Sequence, residues 1–192
     1  MDENLQWKPH IEQLCRRLSK NLFLLSKLQP VISLEARKLF YFAHVQSHID
    51  YASVVWDGCD DVHLKSLNSL HRRAAKLIVA NSSLSTEDKL KSIGVLPLEQ
   101  HLFYNKAIFM HKIQHDEAPS YLADMFQYTR SPYTCFKFNL SCSKPRIDIY
   151  KSSLSYAGAQ VWNGLPRPLK VQCSLGSFKV NLHRNLFHRL ST

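Results

Sequence analysis

Apolar residues near the start of the chain return every third or fourth position: Ile11, Leu14, Cys15, Leu18, Leu22, Leu25 and Leu28. That spacing fits one face of an α-helix, and Pro30 closes the segment. Ser33 is a good N-cap with Glu35 in the first turn, and it opens "LEARKLFYFAHVQSHIDYASVVW", whose dense apolar and aromatic content calls for burial. A third helix is predicted to start at Asp60 or Asp61 and run through "VHLKSLNSLHRRAAKLIVA". Turned at about 100° per residue, Lys65, Ser69, Arg72, Arg73 and Lys76 fall on one arc. Leu64, Leu67, Leu70, Ala74, Leu77 and Ile78 fall on the opposite one.

Further along, Ser85 and Asp88 make a variant of the capping box for a short helix that Gly94 can end. Pro97 suits the first turn of the next helix, Leu98 to His115. After "DEAPSYLADMF" the pattern changes, and "CFKFNL" and "RIDIY" alternate apolar and polar residues, which predicts two short strands around "SCSKP". "SSLSYAGAQVWNG" predicts a short helix ended by Gly164, followed by a rigid Pro166-x-Pro168 turn. Ser174 then caps a final helix with Leu175, Phe178, Leu182, Leu186 and Leu190 in one stripe. No internal repeat or low-complexity tract interrupts this order. The pattern predicts a mainly α fold: a helical region over 1–96, then a small mixed α+β region over 97–192 with helices and a short β-hairpin-like element.

Composition supports an ordered chain. Of 192 residues, 45% are hydrophobic and 11% aromatic, with only 5 Gly and 8 Pro, so neither a disordered tail nor a fibrous repeat fits. Charge narrows the partners. The net formal charge is +10, and from Met125 onward 10 basic residues face a single acid, Asp148. A one-signed surface favours polyanions, nucleic acid or anionic lipid. The 5 cysteines, Cys15, Cys59, Cys135, Cys142 and Cys173, are odd in number with no close pair, which points to a reduced compartment. "MDENLQWKPHIEQ" has no signal-peptide pattern, and no apolar run approaches the ~20 residues of a membrane span. An intracellular chain, cytoplasmic or nuclear, with nucleic acid rather than membrane as its partner is the expectation.

Several constellations invite chemistry and fall short of it. His48-x-Asp50 supplies two ligand types of a non-haem iron site, but that site needs a distant second His at the rim of a β-barrel, and this chain is poor in strands. Asp60-Asp61 resembles the metal pair of a two-metal polymerase, which needs carboxylates pinned on a rigid strand turn; ahead of an amphipathic helix, N-capping explains them better. His111 and His115 have metal-ligand spacing, yet Lys112 stands where a zinc-peptidase helix requires glutamate. Cys135 and Cys142, with six residues between them, fall outside zinc-knuckle spacing and suit small buried positions. There is no nucleophile elbow and no Gly-rich phosphate loop, so no catalytic residue, metal or cofactor is expected.

The basic arc is the better candidate. On the third helix no acid beyond the first turn opposes Lys65, Arg72, Arg73 and Lys76. "SKPRIDIYK" adds Lys144, Arg146 and Lys151 with Tyr150 interleaved, a mixture able to neutralise phosphates while stacking a base. Trp162, between Val161 and Leu165, is better read as core.

Taken in order, "LQWKPHIEQLCRRLSKNLFLLSKLQP", "HVQSHIDYASVVWDGC", "LNSLHRRAAKLI", "EAPSYLADMF", "PRIDIYKSSLSYAGAQVWNGLP" and "SLGSFKVNLHRNL" resemble successive landmarks of the C-terminal part of reverse transcriptases from non-LTR (LINE-type, jockey-like) retrotransposons. The resemblance covers almost the whole chain. It implies a helical thumb-like region at 1–96 and a C-terminal extension at 97–192. It also implies that the catalytic aspartates belong to a palm not matched here, so no polymerase activity by itself is expected, and the missing palm region of the parent protein becomes a possible partner. "HRRAAK" is then the segment assigned to gripping RNA or an RNA–DNA duplex. The first forty residues also resemble a short helical module attached to a family of tRNA-modifying oxygenases and methyltransferases; with no cofactor fingerprint alongside, no activity carries over. The alternative from another class is a helical interaction or scaffold protein whose charge serves solubility.

Overall fold

The computed structural model describes residues 7–81, 83–129, 138–142, 145–171 and 174–190. The chain is mainly α, as its periodicity predicts. It divides into two compact units, residues 1–99 and 100–192.

In the first unit α1 (Lys8–Leu28) buries Ile11, Leu14, Leu18, Leu22 and Leu25, the predicted stripe. Helix α2 (Leu34–Tyr41) starts at Ser33, whose hydroxyl accepts from the Ala36 N–H at 3.2 Å. A π-helical turn, Phe42–Gln46, leads into α3 (Ser47–Asp50). There the helical stretch breaks: Ala52 takes a left-handed φ of 52° before α4 (Ser53–Trp56). The break is closed by Trp56, fully buried, whose indole N–H donates to the Tyr51 carbonyl at 2.9 Å.

Helix α5 (Asp61–Ile78) packs along α1 and against α2, and α6 (Thr86–Ser92) packs on α5. Leu67, Ala74, Ala75 and Ile78 of α5 are buried, as are Val45 and Ile49 on the π-helical turn and α3, which also pack on α1, and Tyr41 on α2, which packs on α5. Arg37 caps the end of α5, donating from Nη1 to the Ile78 carbonyl at 2.9 Å, which satisfies an orphan acceptor at the negative end of the helix dipole. Asp60 stands at the N-cap position of α5, but its side chain makes no capping hydrogen bond, so the expected cap acts through charge alone. Ser85 does cap α6, accepting from the Asp88 N–H at 3.1 Å. Gly94, at φ 74°, ends that helix as foreseen: the Gly94 N–H bonds to the Lys91 carbonyl and the Val95 N–H to that of Leu90, each at 3.0 Å, which is the Schellman pattern.

Inside this unit runs a chain of polar side chains. The Tyr41 hydroxyl donates to Gln46 Oε1 at 2.5 Å and lies 2.9 Å from His71 Nε2. With its one proton given to Gln46, the phenol oxygen accepts from His71, which fixes Nε2 as the protonated nitrogen. Gln46 Nε2 passes the chain on to Asp50 Oδ1 at 3.0 Å.

In the second unit α7 (Leu98–Gln114), which begins just before the boundary, buries Leu102, Ala107, Met110, His111 and Ile113. A short α8 (Ser120–Ala123) follows, then α9 (Asp148–Ser152), a π-helical turn at Leu154–Gly158, α10 (Ala159–Asn163), α11 (Arg167–Lys170) and α12 (Leu175–Arg189). Phe178, Leu182 and Leu186 of α12 are buried, the predicted stripe. Ser174 sits at its N-cap without a side-chain bond. Gly158 is where backbone meets side chain closely, since an added Cβ would lie 2.6 Å from Met110 Sδ.

One of the two expected strands is corrected. "RIDIY" enters a helix, α9, instead of a strand. Five residues of alternation match one helical turn as well as one strand, and with no partner strand among the described residues the helix satisfies its own backbone. Of "CFKFNL", residues 135–137 lie outside the described residues. Leu140 makes a single antiparallel bridge with Tyr128, flanked by Thr129 N–H to the Asn139 carbonyl at 2.8 Å and Ser141 N–H to that of Gln127 at 2.7 Å. Among the described residues this bridge is all that stands for the hairpin-like element.

Two side chains of the "VWNGLP" segment hold that bridge. Trp162 is buried, as its neighbours suggested, and its N–H donates to the Phe138 carbonyl at 2.9 Å. Asn163 grips Leu140 from both sides: Oδ1 accepts its N–H at 2.7 Å and Nδ2 donates to its carbonyl at 2.9 Å. The side-chain amide does what a neighbouring strand would do. Lys170, buried, adds bonds to Asn139 Oδ1 at 2.8 Å and to the Asn163 carbonyl at 2.9 Å. Its burial pulls the ammonium pKa below the usual lysine range.

Candidate nucleic-acid interface

Helix α5 presents its two arcs as the sequence spacing foresaw. Leu67, Ala74 and Ile78 are buried, while Lys65, Ser69, Arg72, Arg73 and Lys76 are exposed. Lys76 lies eleven positions after Lys65, so the cations are strung along about 16 Å of helix axis. The serines between them bond back onto their own helix: Ser69 Oγ donates to the Lys65 carbonyl at 3.0 Å and Ser66 Oγ to that of Val62 at 3.3 Å. Lysine and arginine head groups are therefore what this surface offers a ligand.

Its charge is uncompensated at short range. Ion pairs such as Arg16 with Glu12 at 4.0 Å and Lys38 with Glu35 at 3.2 Å stand on other helices, and among the described residues no carboxylate pairs with Lys65, Arg72, Arg73 or Lys76. Asp61 lies one turn before Lys65 without pairing to it. Four like charges on one arc repel one another weakly in water and lower their mutual energy when a phosphate chain sits over them. No aromatic residue shares the arc, which suits backbone contact and gives no base-stacking platform.

The second predicted group belongs to the other unit. Arg146 and Lys151 are exposed, and Tyr150 is 36% exposed with its ring centroid 6.2 Å from that of Tyr156. Lys144 lies outside the described residues. Tyr150 and Lys151 stand on α9, a helical turn rather than the predicted strand, so alternation does not set which way they point.

The remaining candidates resolve into structure. His48 and Asp50 stand two apart on α3, which sends their side chains in diverging directions, and Asp50 is engaged by Gln46. The His48 imidazolium is disfavoured first by burial and then by the charges of Arg17 and His44, which lowers its pKa. His111 stacks on Phe178, with ring centroids 4.3 Å apart, and its ring lies tilted against that of His115 at 4.2 Å. Among the described residues no three His, Cys, Asp or Glu side chains converge as a metal site. Cys142 is half-buried, its Sγ accepting from Asn163 Nδ2 at 3.5 Å. Cys135 lies outside the described residues. No described helix is long and apolar enough to cross a membrane.

One cationic face escaped the sequence reading. On α1, Arg16, Arg17, Lys20 and Lys27 are exposed opposite the buried stripe, together with Phe23 and Leu24. The spacing of "CRRLSKNLFLLSK" carried the signal, because the same period that sets the apolar face inward sets these outward.

No protein-family model, curated protein or solved structure matches this chain.

Proposed function

We propose that this chain binds the sugar-phosphate backbone of RNA or an RNA–DNA duplex through α5, as a non-catalytic portion of an RNA-directed DNA polymerase of the non-LTR retrotransposon type. The observation that supports binding most is the exposed run Lys65, Arg72, Arg73 and Lys76, unpaired with any described carboxylate. The polymerase parentage rests on the ordered resemblance of six sequence segments. The chain grips and does not catalyse, since the aspartates such a polymerase needs have no counterpart among these segments. Contacts are with phosphates, so binding is insensitive to base sequence and weakens steeply with salt.

Fluorescence anisotropy with a labelled RNA–DNA duplex tests this. Saturable binding that weakens from 50 to 200 mM salt supports it. Binding unchanged by salt, or equal binding of a neutral-backbone analogue, would falsify it.

A further inference from the structure

A second surface of the first unit has a different chemistry. The buried stripe of α1 is already complete, from Ile11 to Leu25, so the fold does not need Phe23 or Leu24. Both nonetheless stand side by side on the outward face, 61% and 50% exposed. Cations surround them: Arg16, Arg17 and Lys20 on the turns before, Lys27 on the turn after. Lys27 Nζ lies 5.5 Å from the Phe23 ring centroid, so one face of the ring is already covered by a cation. Arg16 to Lys27 spans about 16 Å, three turns of helix.

We propose that this face is a docking surface for an acidic amphipathic helix of a protein partner, a helix with adjacent apolar side chains flanked by Glu or Asp. Two adjoining apolar side chains ringed by cations form an anchor with a charged rim, and the partner that completes both has the opposite charge around its own apolar pair. Within α1 Glu12 is the one acid, and it pairs with Arg16 at 4.0 Å, at one end of the surface. Carboxylates for Arg17, Lys20 and Lys27 come from the partner. Nucleic acid is the poorer occupant because a phosphate chain over these cations would leave the apolar pair Phe23 and Leu24, 61% and 50% exposed, without an apolar partner. An anionic membrane is disfavoured because the broad apolar side of α1 faces the core, and an interfacial helix must present that side to lipid. The surface lies on α1 and shares no residue with the α5 run, so this proposal does not rest on nucleic-acid binding.

The test uses the full chain and a labelled 18-residue helical peptide of Ala, Leu and Glu, with leucines at helical spacing in one stripe and glutamates on both flanks. Saturable binding is expected. Phe23→Ser is expected to weaken it by about tenfold or more, Leu24→Asn by severalfold, and Lys20→Glu by severalfold in a manner that high salt removes. Arg72→Ala with Arg73→Ala leaves it unchanged. These substitutions are at exposed positions, and circular dichroism of each variant verifies that the helices persist. Equal binding of a peptide whose leucines are replaced by serine overturns the proposal. So does indifference to Phe23→Ser, or displacement of the peptide from this face by single-stranded DNA or phosphatidylserine vesicles.

Discussion

Replacing Asn163 by Ala removes the one side chain that pairs both backbone groups of Leu140. The bonds removed are 2.7 Å to the Leu140 N–H and 2.9 Å to its carbonyl. Leu140 is 2% exposed, so water does not readily take over. An orphaned buried donor or acceptor costs about 1–3 kcal/mol, and partial relaxation of the 138–142 segment brings the sum to about 2–4 kcal/mol. For a unit of roughly a hundred residues each kcal/mol lowers the Tm by about 4–8 °C, so a drop of ~10 °C or more is expected in calorimetry. Hydrogen exchange at the Leu140 amide should accelerate in parallel. Asn163→Asp separates the two bonds. It keeps the acceptor for the N–H but turns an oxygen toward the Leu140 carbonyl. Its carboxyl is harder to ionise in the folded chain than in the unfolded one. The deficit is therefore full near pH 7 and shrinks as pH falls and the acid can donate to that carbonyl. A loss under about 0.5 kcal/mol in Asn163→Ala, with Leu140 still protected, would refute the assignment of this side chain as the strand substitute.

Three more outcomes follow from the same geometry. Tyr41→Phe deletes the hydroxyl joining Gln46 and His71, and should cost about 1–3 kcal/mol in urea denaturation; a neutral effect would show that the buried polar chain adds nothing to stability. His10 and His48 both have pKa values below the ordinary 6.5, with burial the first cause in each. The unfolded chain then binds these protons more readily, so the first unit should lose stability as pH falls from 7.5 through 6.5, and His48→Gln should flatten that slope; stability that rises toward pH 5.5 would contradict it. Burial pushes the Cys59 thiol up to about 11, so it should react with a disulfide reagent at pH 7.5 far more slowly in the folded chain than in urea; equal rates would show that the thiol is open to solvent.

Local rules carried much of the fold. Ser33 and Ser85 cap helices because a hydroxyl in that position reaches an N–H three residues on, and Gly94 ends one because its φ of 74° favours glycine. The stripes of α1, α5 and α12 were legible for the same reason: burial on one side leaves a 3.6-residue period. The links from Tyr41 to His71 and from Asn163 to Leu140 join residues 30 and 23 apart and leave no periodic trace. "RIDIY" misled because so short an alternation does not separate strand from helical turn. The α5 arc itself was legible, whereas its lack of a paired carboxylate depends on which acids the rest of the fold brings near. The outward cations of α1 were equally visible in the period, hidden only by attention to its apolar side.

The decisive measurement is the slope of log binding constant against log salt for an RNA–DNA duplex, taken for the intact chain and for Arg72→Ala/Arg73→Ala/Lys76→Ala. Removing one cation from a phosphate lowers the slope by up to about 0.9, so a decrease of up to about 2.7 is predicted for the three together. The variant should keep its thermal stability, since all three side chains are exposed. Parallel slopes for the two proteins, or an intact chain whose binding ignores salt, would contradict the assignment of α5 as the surface that holds the phosphates.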